Sequence, residues 1–282
     1  DDSCPELHVQ QTGGRFTVTT FNIHYISALE DAAAEGLTAW DERREAVAAA
    51  VEALDSDLIA FQEMETFAGG SYNEQNTQLD FLLSRFPGYE AAATGDPREY
   101  PSTQPVLYRR ARFEPLEQGF FFYSPTPDEL YSRSWDGRFP AFTSWVRFRD
   151  LHSQTTFFVF NNHFDAGSPG NRRRASELLL DRLAARSVTD DPVIVLGDFN
   201  APHFFPTVRA LMNAGLHRAP ASGSTFHFNR GIHLIPAVDH ILASACVELV
   251  DAGRLTARYD GRFPSDHYPV SATVALPATR AR

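Results

Sequence analysis

The sequence contains no lysine, so the 25 strongly basic side chains of this 282-residue chain are all arginines. The absence of lysine excludes a Schiff-base mechanism and the phosphate-binding lysine of a P-loop. The chain has only two cysteines and neither an HExxH nor a CxxC pattern, which argues against a zinc site. No apolar run approaches the roughly 18 residues of a membrane span, so we predict none.

The charge balance narrows the choice of partner. The net charge is −11, whereas a protein that binds nucleic acid over a broad surface by neutralising phosphates needs the opposite sign. A local arginine-lined pocket for one phosphate group remains compatible with this charge. Hydrophobic residues make up 43% of the chain and charged residues 22%, as is typical of a globular protein. We expect a monomer.

The two cysteines, Cys4 and Cys246, leave two possibilities open. They form a disulfide that tethers the N-terminal tail, as exported proteins often have, or both are unpaired thiols. The chain begins at Asp1 without a methionine, which indicates either cleavage of a signal peptide or trimming of the chain. We expect an exported protein, periplasmic or secreted, with a cytoplasmic location as the alternative.

Strand-like and helix-like segments alternate along the chain. The helices are predicted from apolar residues at three- and four-residue spacing, and the strands from short β-rich runs bounded by turn residues. The predicted helices are 39–54, 77–86, 171–186 and 207–214, and the predicted strands are 15–23, 57–63, 89–94, 104–109, 119–124, 142–148, 155–162, 193–196, 238–243 and 268–276. This alternation predicts one α/β domain, with loops at 69–76 and at 124–139, the second long enough to carry function.

The segment from Pro192 to Asn200, PVIVLGDFN, contains the central pattern. Its apolar run predicts a strand buried on both faces, and Asp198 and Asn200 follow at the end of the strand. Open α/β sheets bind their ligands at such strand ends. Other predicted strands have similar polar residues at one end: Asn22, Glu63, His163 with Asp165, Asp239 with His240, and Asp266 with His267.

Carboxylates and carboxamides dominate this set of strand-end residues, and histidines stand beside them. Mg²⁺ and Mn²⁺ prefer oxygen ligands from carboxylates, water and substrate phosphate. The set therefore predicts metal-assisted hydrolysis of a phosphate ester. For any one of these residues taken alone, the alternative is a polar turn after a core strand.

The same residues resemble a known family. They occur as TFNIH at 20–24, QE at 62–63, NHFD at 162–165, GDFN at 197–200, the Asp239–His240 pair and SDHYPV at 265–270. In order and approximate spacing this series resembles the endonuclease/exonuclease/phosphatase superfamily, which includes exonuclease III and deoxyribonuclease I. The resemblance implies a catalytic domain at 15–277, between tails at 1–14 and 278–282.

The resemblance implies a four-layer α/β sandwich, with two mixed β-sheets packed face to face, helices outside and the site at one rim. It also implies a Mg²⁺ or Mn²⁺ cofactor held by Glu63, with Asn22 and Asp266 as further ligands. Asp266 would also orient His267, and His267 would act as the general base or stabilise the transition state.

The remaining matched residues are implied to act on water or on the phosphate. Asp198 would position the attacking water or help to hold a second metal, and Asp239 would support the histidine or metal network. Asn200 and His163 would donate hydrogen bonds to the phosphoryl oxygens. Such residues suit phosphoryl transfer because this reaction depends on positioning and charge neutralisation.

Two positions depart from the family pattern. Many relatives have HxDH where this chain ends the motif in Ala166, and many have an arginine where Ala141 follows Pro140. Another arginine would then supply the missing positive charge, from Arg109, Arg138 or the 172–174 cluster that includes Arg173. Trp135, in the polar loop, is the candidate aromatic residue for substrate contact.

We therefore predict a Mg²⁺- or Mn²⁺-dependent phosphoesterase that cleaves phosphodiesters by direct attack of water. The leading substrate class, a nucleic acid or nucleotide-like diester, comes from its frequency in the family. The first alternative is a hydrolase of a small phosphate ester or phospholipid headgroup, which the charge of −11 would suit. A non-catalytic binding module on the same scaffold is the second. Such a module has no need to retain Glu63, Asp198, Asn200 and His267 together.

Overall fold

The computed structural model describes residues 14–26, 40–64, 76–186 and 191–277. Within these ranges, helices α1 to α4 span Trp40–Leu54, Thr77–Arg85, Pro169–Arg186 and Pro206–Asn213. Strands β1 to β12 span Arg15–Asn22, Leu58–Gln62, Tyr89–Ala92, Val106–Arg109, Phe113–Phe122, Phe142–Asp150, Thr156–His163, Val193–Asp198, His217–Arg218, Asp239–Ala243, Glu248–Arg254 and Val270–Ala275.

The strands form two six-stranded sheets, ordered β11-β12-β1-β2-β4-β3 and β5-β6-β7-β8-β10-β9. Each sheet is mixed, because β1–β2 and β7–β8 are parallel pairs and the other neighbouring strands run antiparallel. Apolar residues of both sheets, such as Val18 and Val159, form one core between them. Helices α1 and α2 cover the outer face of the first sheet, and α3 and α4 cover that of the second. The predicted four-layer sandwich is confirmed.

The two parallel pairs determine where the site forms. In the first sheet Asn22 pairs in register with Gln62, and in the second His163 pairs with Asp198. The antiparallel strand β10 begins opposite the end of β8, where Asp239 pairs with Asp198. Because β1, β2, β7 and β8 all end at one rim of the sandwich, the polar residues at their ends lie together there.

A polar layer joins the two sheets just below this rim. Gln62 Nε2 donates to Asn161 Oδ1 at 2.7 Å, and Asn161 Nδ2 donates to the Phe61 carbonyl at 2.7 Å. These side chains are fully buried. Such amide pairs satisfy each other's polar groups in a dry interior and fix the positions of the strand ends above them.

The predicted elements agree with the structure except at the edges of the sheets. The missed segments are β9, β11 and the first half of β5, since residues 119–124 covered only the end of that strand. Each of these strands is an edge strand of its sheet. Edge strands carry charged residues and proline, as β5 does at Glu114, Pro115 and Glu117, and these residues interrupt the apolar pattern.

Some predictions fall outside the described residues. Cys4 lies there, so its pairing with Cys246 stays a prediction. The loop predicted at 69–76 also lies outside, except for Asn76, whose Oδ1 caps α2 by accepting from Leu79 N at 3.0 Å. Among the helices that the structure describes, none combines the length and the apolarity that crossing a bilayer requires.

Candidate active site

Asn22 lies at the centre of the rim and links the two sheets. Its Nδ2 atom donates to Glu63 Oε1 and to Asp198 Oδ2, both at 3.1 Å, and the residue is 1% exposed. Its Oδ1 atom accepts from the His24 amide at 3.1 Å. In this arrangement Asn22 positions two carboxylates, and its predicted role as a metal ligand stays a prediction.

Glu63 is the first residue after β2 and has a left-handed backbone, with φ of 57°. Its Oε2 lies 3.3 Å from His24 Nδ1, and its Oε1 lies 3.5 Å from His163 Nε2. Burial alone would raise the pKa of Glu63, but the hydrogen bond from His24 and the nearby histidine charges outweigh burial and lower it. Glu63 is therefore an anion held at the mouth of the site.

His24 belongs to the site although the sequence assigned it no role. Its Nδ1 atom lies between Glu63 and Asp266, 3.6 Å from Asp266 Oδ1. Burial lowers its pKa, yet the two carboxylates prevail, and the net pKa of His24 is raised. The turn at His24 has φ of 66°, which folds the ring back over the strand ends. Its place in the TFNIH motif was the available signal.

His267 is oriented by Asp239, which corrects the prediction that Asp266 would do so. Its Nδ1 lies 2.8 Å from Asp239 Oδ2, while its Nε2 points towards Asp198 Oδ2 at 3.8 Å. The Asp266 side chain makes other contacts. It accepts from Ser265 Oγ at 3.2 Å and lies beside His24.

The carboxylates of this cluster raise the pKa of both His267 and Asp198, against the effect of burial for His267 and together with it for Asp198. Burial alone would lower the pKa of His267, but Asp239 and Asp198 outweigh it and raise this pKa well above its ordinary value. Burial, followed by the charge of Asp239, raises the pKa of Asp198 to about 6. A carboxylate with this pKa is able to exchange a proton near neutral pH.

The donor set fits a hard divalent cation. One ligand atom from each of Asp198, Asp239 and His267 lies within 4.8 Å of the others, and Glu63 joins this group through Asn22. Within the described residues, Asp239 Oδ1 is buried without a hydrogen-bond partner, and such an atom is costly unless it binds something. Buried carboxylates that repel one another offer the oxygen ligands that Mg²⁺ and Mn²⁺ use.

The GDFN turn places Asp198 and Asn200 by backbone geometry. Gly197 has φ of 139°, and Asn200 has a left-handed φ of 47°. The Asn200 amide N donates to Asp198 Oδ1 at 2.9 Å, and its Nδ2 donates to the Phe164 carbonyl at 2.7 Å. His163, at the end of β7, lies 3.7 Å from Asp198. Both predicted phosphate-binding residues therefore border the cluster.

A buried arginine supports the site from below. Arg43 on α1 is 2% exposed and donates to the carbonyls of Ile23, His24 and Pro264 at 2.6, 2.7 and 2.9 Å. It thus joins the turn after β1 to the loop that carries Asp266. Its position on a helix far along the chain from these loops gave no signal in the sequence.

The predicted substrate arginines lie in different places. Arg109 is not brought to the site, because it pairs with Asp55 and Asp57 at the opposite end of β2 from Glu63. Arg173 is exposed on α3 and forms a surface pair with Glu177 at 3.7 Å. Arg138 is exposed at the rim, beside the turn that follows β7.

The turn between β7 and α3 is held by Asp165. Its carboxylate accepts the backbone amides of Gly167 and Ser168 at 2.8 Å each and that of Arg138 at 3.0 Å. Asp165 is therefore a structural residue of the rim. Arg172 is buried and donates to the Asp165 carbonyl at 2.9 Å, so the 172–174 cluster is not a uniformly solvated helix end.

Trp135 is half-buried and does not lie free at the site. Its ring packs against the apolar cluster beneath α3, and the Arg174 guanidinium lies 5.5 Å from the ring centroid. One face of the ring is therefore already covered by a cation. A substrate role for Trp135 stays a prediction.

Comparison with known proteins agrees with this geometry. The chain matches the Endonuclease/Exonuclease/phosphatase family model over residues 19–267. A family protein of Bacteroides thetaiotaomicron is 25% identical, with a TM-score of 0.78 over 93% of this chain and 98% of that one. The mannosyl-6-phosphatase of the same organism is 24% identical, with a TM-score of 0.79 over 93% of this chain and all of its own.

A curated relative from Acanthamoeba polyphaga mimivirus, itself uncharacterized, is 27% identical over 168 residues. The match covers 57% of this chain and 59% of the viral protein. The chain thus spans little more than half the length of that relative.

Proposed function

The chain belongs to the Endonuclease/Exonuclease/phosphatase family, and on that basis we propose that it is a Mg²⁺- or Mn²⁺-dependent enzyme that hydrolyses phosphodiester bonds by direct attack of water. One observation carries the proposal. Asn22, Glu63, Asp198, Asp239 and His267 come from both sheets and meet in one buried cluster. A fold without chemistry to perform has no need to bury so much like charge.

Glu63, together with Asn22 and Asp266, would hold the cation, while the adjoining group of Asp198, Asp239 and His267 acts on the water and the phosphate instead of binding the ion. When bound, the cation neutralises phosphate charge and polarises the phosphoryl group. The pKa of Asp198, raised to about 6 by burial and by Asp239, suits a group that accepts a proton from the attacking water.

His267 stabilises the charge that develops on the phosphoryl oxygens. Its raised pKa favours the imidazolium form, which the Asp239 carboxylate holds in place at 2.8 Å. Asn200 uses one N–H on the Phe164 carbonyl, which leaves its second N–H for a phosphoryl oxygen. His163 is the second hydrogen-bond donor to the phosphate in this proposal.

The proposed substrate class is a nucleic acid or a nucleotide-like diester. Hydrolysis of a small phosphate ester or a phospholipid headgroup is the second candidate. It is favoured by the net charge of −11, which opposes broad contact with a polyanion. The structural likeness to a mannosyl-6-phosphatase is in keeping with this candidate. We propose an exported, monomeric protein.

Hydrolysis of bis-p-nitrophenyl phosphate tests the reaction. We expect turnover with added Mn²⁺ or Mg²⁺ and none with EDTA, and we expect Glu63→Ala and His267→Ala each to lower kcat about 100-fold or more. Glu45→Ala and His152→Ala, at exposed positions on α1 and in the turn after β6, are the matched controls and should keep wild-type rates. A wild-type protein inert with every divalent metal would overturn the proposal.

A further inference from the structure

A groove opens beside the active site. Of the residues assigned to the reaction, Asp266 is the one that lines this groove, and it lies at the edge. The volume of the groove is about 480 Å³, within the range of small-molecule sites. The groove is lined by Phe226, Phe228, Asn229, Arg230, Ile232, Leu234 and Asp266. We call it the 226–234 groove, after the loop between β9 and β10 that forms it.

The loop that forms the groove is anchored beside the reaction centre. His227 is buried, and its ring stacks on Tyr268 with centroids 4.0 Å apart. Its amide N donates to the Asp266 carbonyl at 2.9 Å, and its own carbonyl accepts from Arg230 N and Ile232 N at 3.0 and 3.2 Å. The groove is therefore a formed surface, fixed to the residues next to His267.

The wall of the groove is apolar and open to solvent. Phe228 is 36% exposed, Ile232 38% and Leu234 77%. The Phe226 and Phe228 rings lie 4.5 Å apart, and the Phe226 ring lies 5.1 Å from that of His267. Apolar side chains that line one concave surface mark a binding site more than scattered exposed ones do. Phe226 therefore connects the groove to the imidazole of His267.

Arg230 adds a cation to this wall. Its side chain is exposed, and its guanidinium forms no ion pair with another residue in the part of the chain that the structure describes. A guanidinium stacks on aromatic faces and an alkyl chain offers no such face. The combination of paired phenyl rings, a branched aliphatic residue and a planar cation thus fits a flat aromatic ring.

We propose that the 226–234 groove binds a flat aromatic ring carried by the phosphate ester, while the phosphate lies over Asp198 and His267. The ring is an aryl group or a nucleobase, and the groove thereby selects among phosphate esters. This inference rests on the proposed function, because the phosphate is what holds the ring beside Asp266. Phe228, Ile232 and Arg230 are the residues that determine the selectivity.

Binding of phosphonates tests the groove without turnover. The three ligands are benzylphosphonate, hexylphosphonate and methylphosphonate. They share the phosphonate group, and the groove would receive an aromatic ring, an alkyl chain or a single methyl group, respectively. By calorimetry with the intact protein in Mg²⁺, we expect benzylphosphonate to bind about tenfold more tightly than methylphosphonate. Hexylphosphonate should fall between them. Equal binding of the benzyl and methyl ligands, or tighter binding of the hexyl one, would overturn the proposal.

Three variants test which residues cause the preference for benzylphosphonate over methylphosphonate. Phe228→Ser, Ile232→Ser and Arg230→Gln should each narrow the benzyl-to-methyl preference to about threefold while the Kd of methylphosphonate stays unchanged. Leu151→Ser is the matched control, because Leu151 is 39% exposed, as Ile232 is 38% exposed, but lies in the turn after β6. A variant that weakens both ligands equally would show a structural role instead and contradict the assignment.

The outcomes separate this inference from the proposed function. Hydrolysis of bis-p-nitrophenyl phosphate with no preference among the phosphonates would overturn the groove alone. Absence of both hydrolysis and phosphonate binding would overturn the two proposals together. A nucleoside 5′-methylphosphonate in the same titration distinguishes the two sources of the ring, since a nucleobase-specific groove should bind it more tightly than benzylphosphonate.

Discussion

Two aspartates lie close to His267, and their side chains do different things. Asp239 holds the imidazole Nδ1 at 2.8 Å. Asp266, although adjacent in sequence, contacts Ser265 and His24. The orientation and charge of His267 therefore depend on Asp239, which begins a strand 28 positions earlier in the chain.

Replacing each aspartate by asparagine separates their roles. We expect Asp239→Asn to lower kcat at saturating Mg²⁺ by about 10²- to 10⁴-fold, because an amide facing Nδ1 no longer supports the imidazolium. Asp266→Asn should mainly raise the Mg²⁺ concentration needed for activity. Steady-state rates over a metal titration measure both effects. An equal loss of kcat in the two variants at saturating metal would contradict the assignment of Asp239.

The sequence singles out strand-end residues that the structure brings together, but it identifies neither His24 nor Arg43 and does not show which side chains pair. Glu63, Asp198 and His267 stand in short motifs at strand ends, and such motifs are visible in one dimension. The partner of His267 depends on which way a side chain points after folding. Arg109 illustrates the same limit, since nothing in the sequence shows that β4 delivers it to the far end of the sandwich.

Strand β8 depends on a glycine at the point where it reaches the site. Gly197 has φ of 139°, and a Cβ atom there would lie 2.0 Å from the Asn162 carbonyl oxygen of β7. Only glycine lets the parallel pair stay closed where Asp198 leaves the sheet. The glycine of the GDFN motif is thus required for the close packing of β7 against β8, in addition to any role in the reaction.

Gly197→Ala should lower the free energy of unfolding by about 3 kcal/mol or more, because a strained φ and a backbone clash act together. Gly215→Ala is the matched control. Gly215 also has a positive φ, of 102°, but has no atom within 4 Å of an added Cβ, so we expect a loss of about 1 kcal/mol. Urea denaturation followed by circular dichroism measures both. Equal losses of unfolding free energy in the two variants would show that the close approach of residue 197 to Asn162 does not cause the destabilisation.

Elements buried on both faces were predictable from the sequence, whereas of the four edge strands in the described residues only β3 was predicted over its whole length. The central strands β1, β2, β7 and β8 read as continuous or alternating apolar runs because both their faces are covered. Edge strand β11 is half-exposed along its length and bulges between Val250 and Gly253. The sequence of β11 therefore lacks the regular alternation of apolar and polar residues that predicts a strand.

At the scale of the whole molecule, folding concentrates negative charge at one rim. Glu63, Asp198, Asp239 and Asp266 come from separate parts of the chain and are at most partly exposed there. Their mutual repulsion opposes folding, and within the described residues the compensation comes from Asn22, the neighbouring histidines and the buried Arg43. A cation bound among the carboxylates would relieve the same repulsion.

Metal binding should therefore stabilise the entire fold. A ligand that binds only the native state at 100 times its Kd adds about 2.7 kcal/mol, which for a domain of this size raises Tm by about 5–10 °C. We expect such a rise by scanning calorimetry in 10 mM MgCl₂ or MnCl₂ relative to EDTA. Glu63→Gln should abolish it, whereas Glu45→Gln, at an exposed position on α1, should keep it. NaCl at equal ionic strength controls for charge screening, and an equal rise in NaCl would show that no specific site binds the metal.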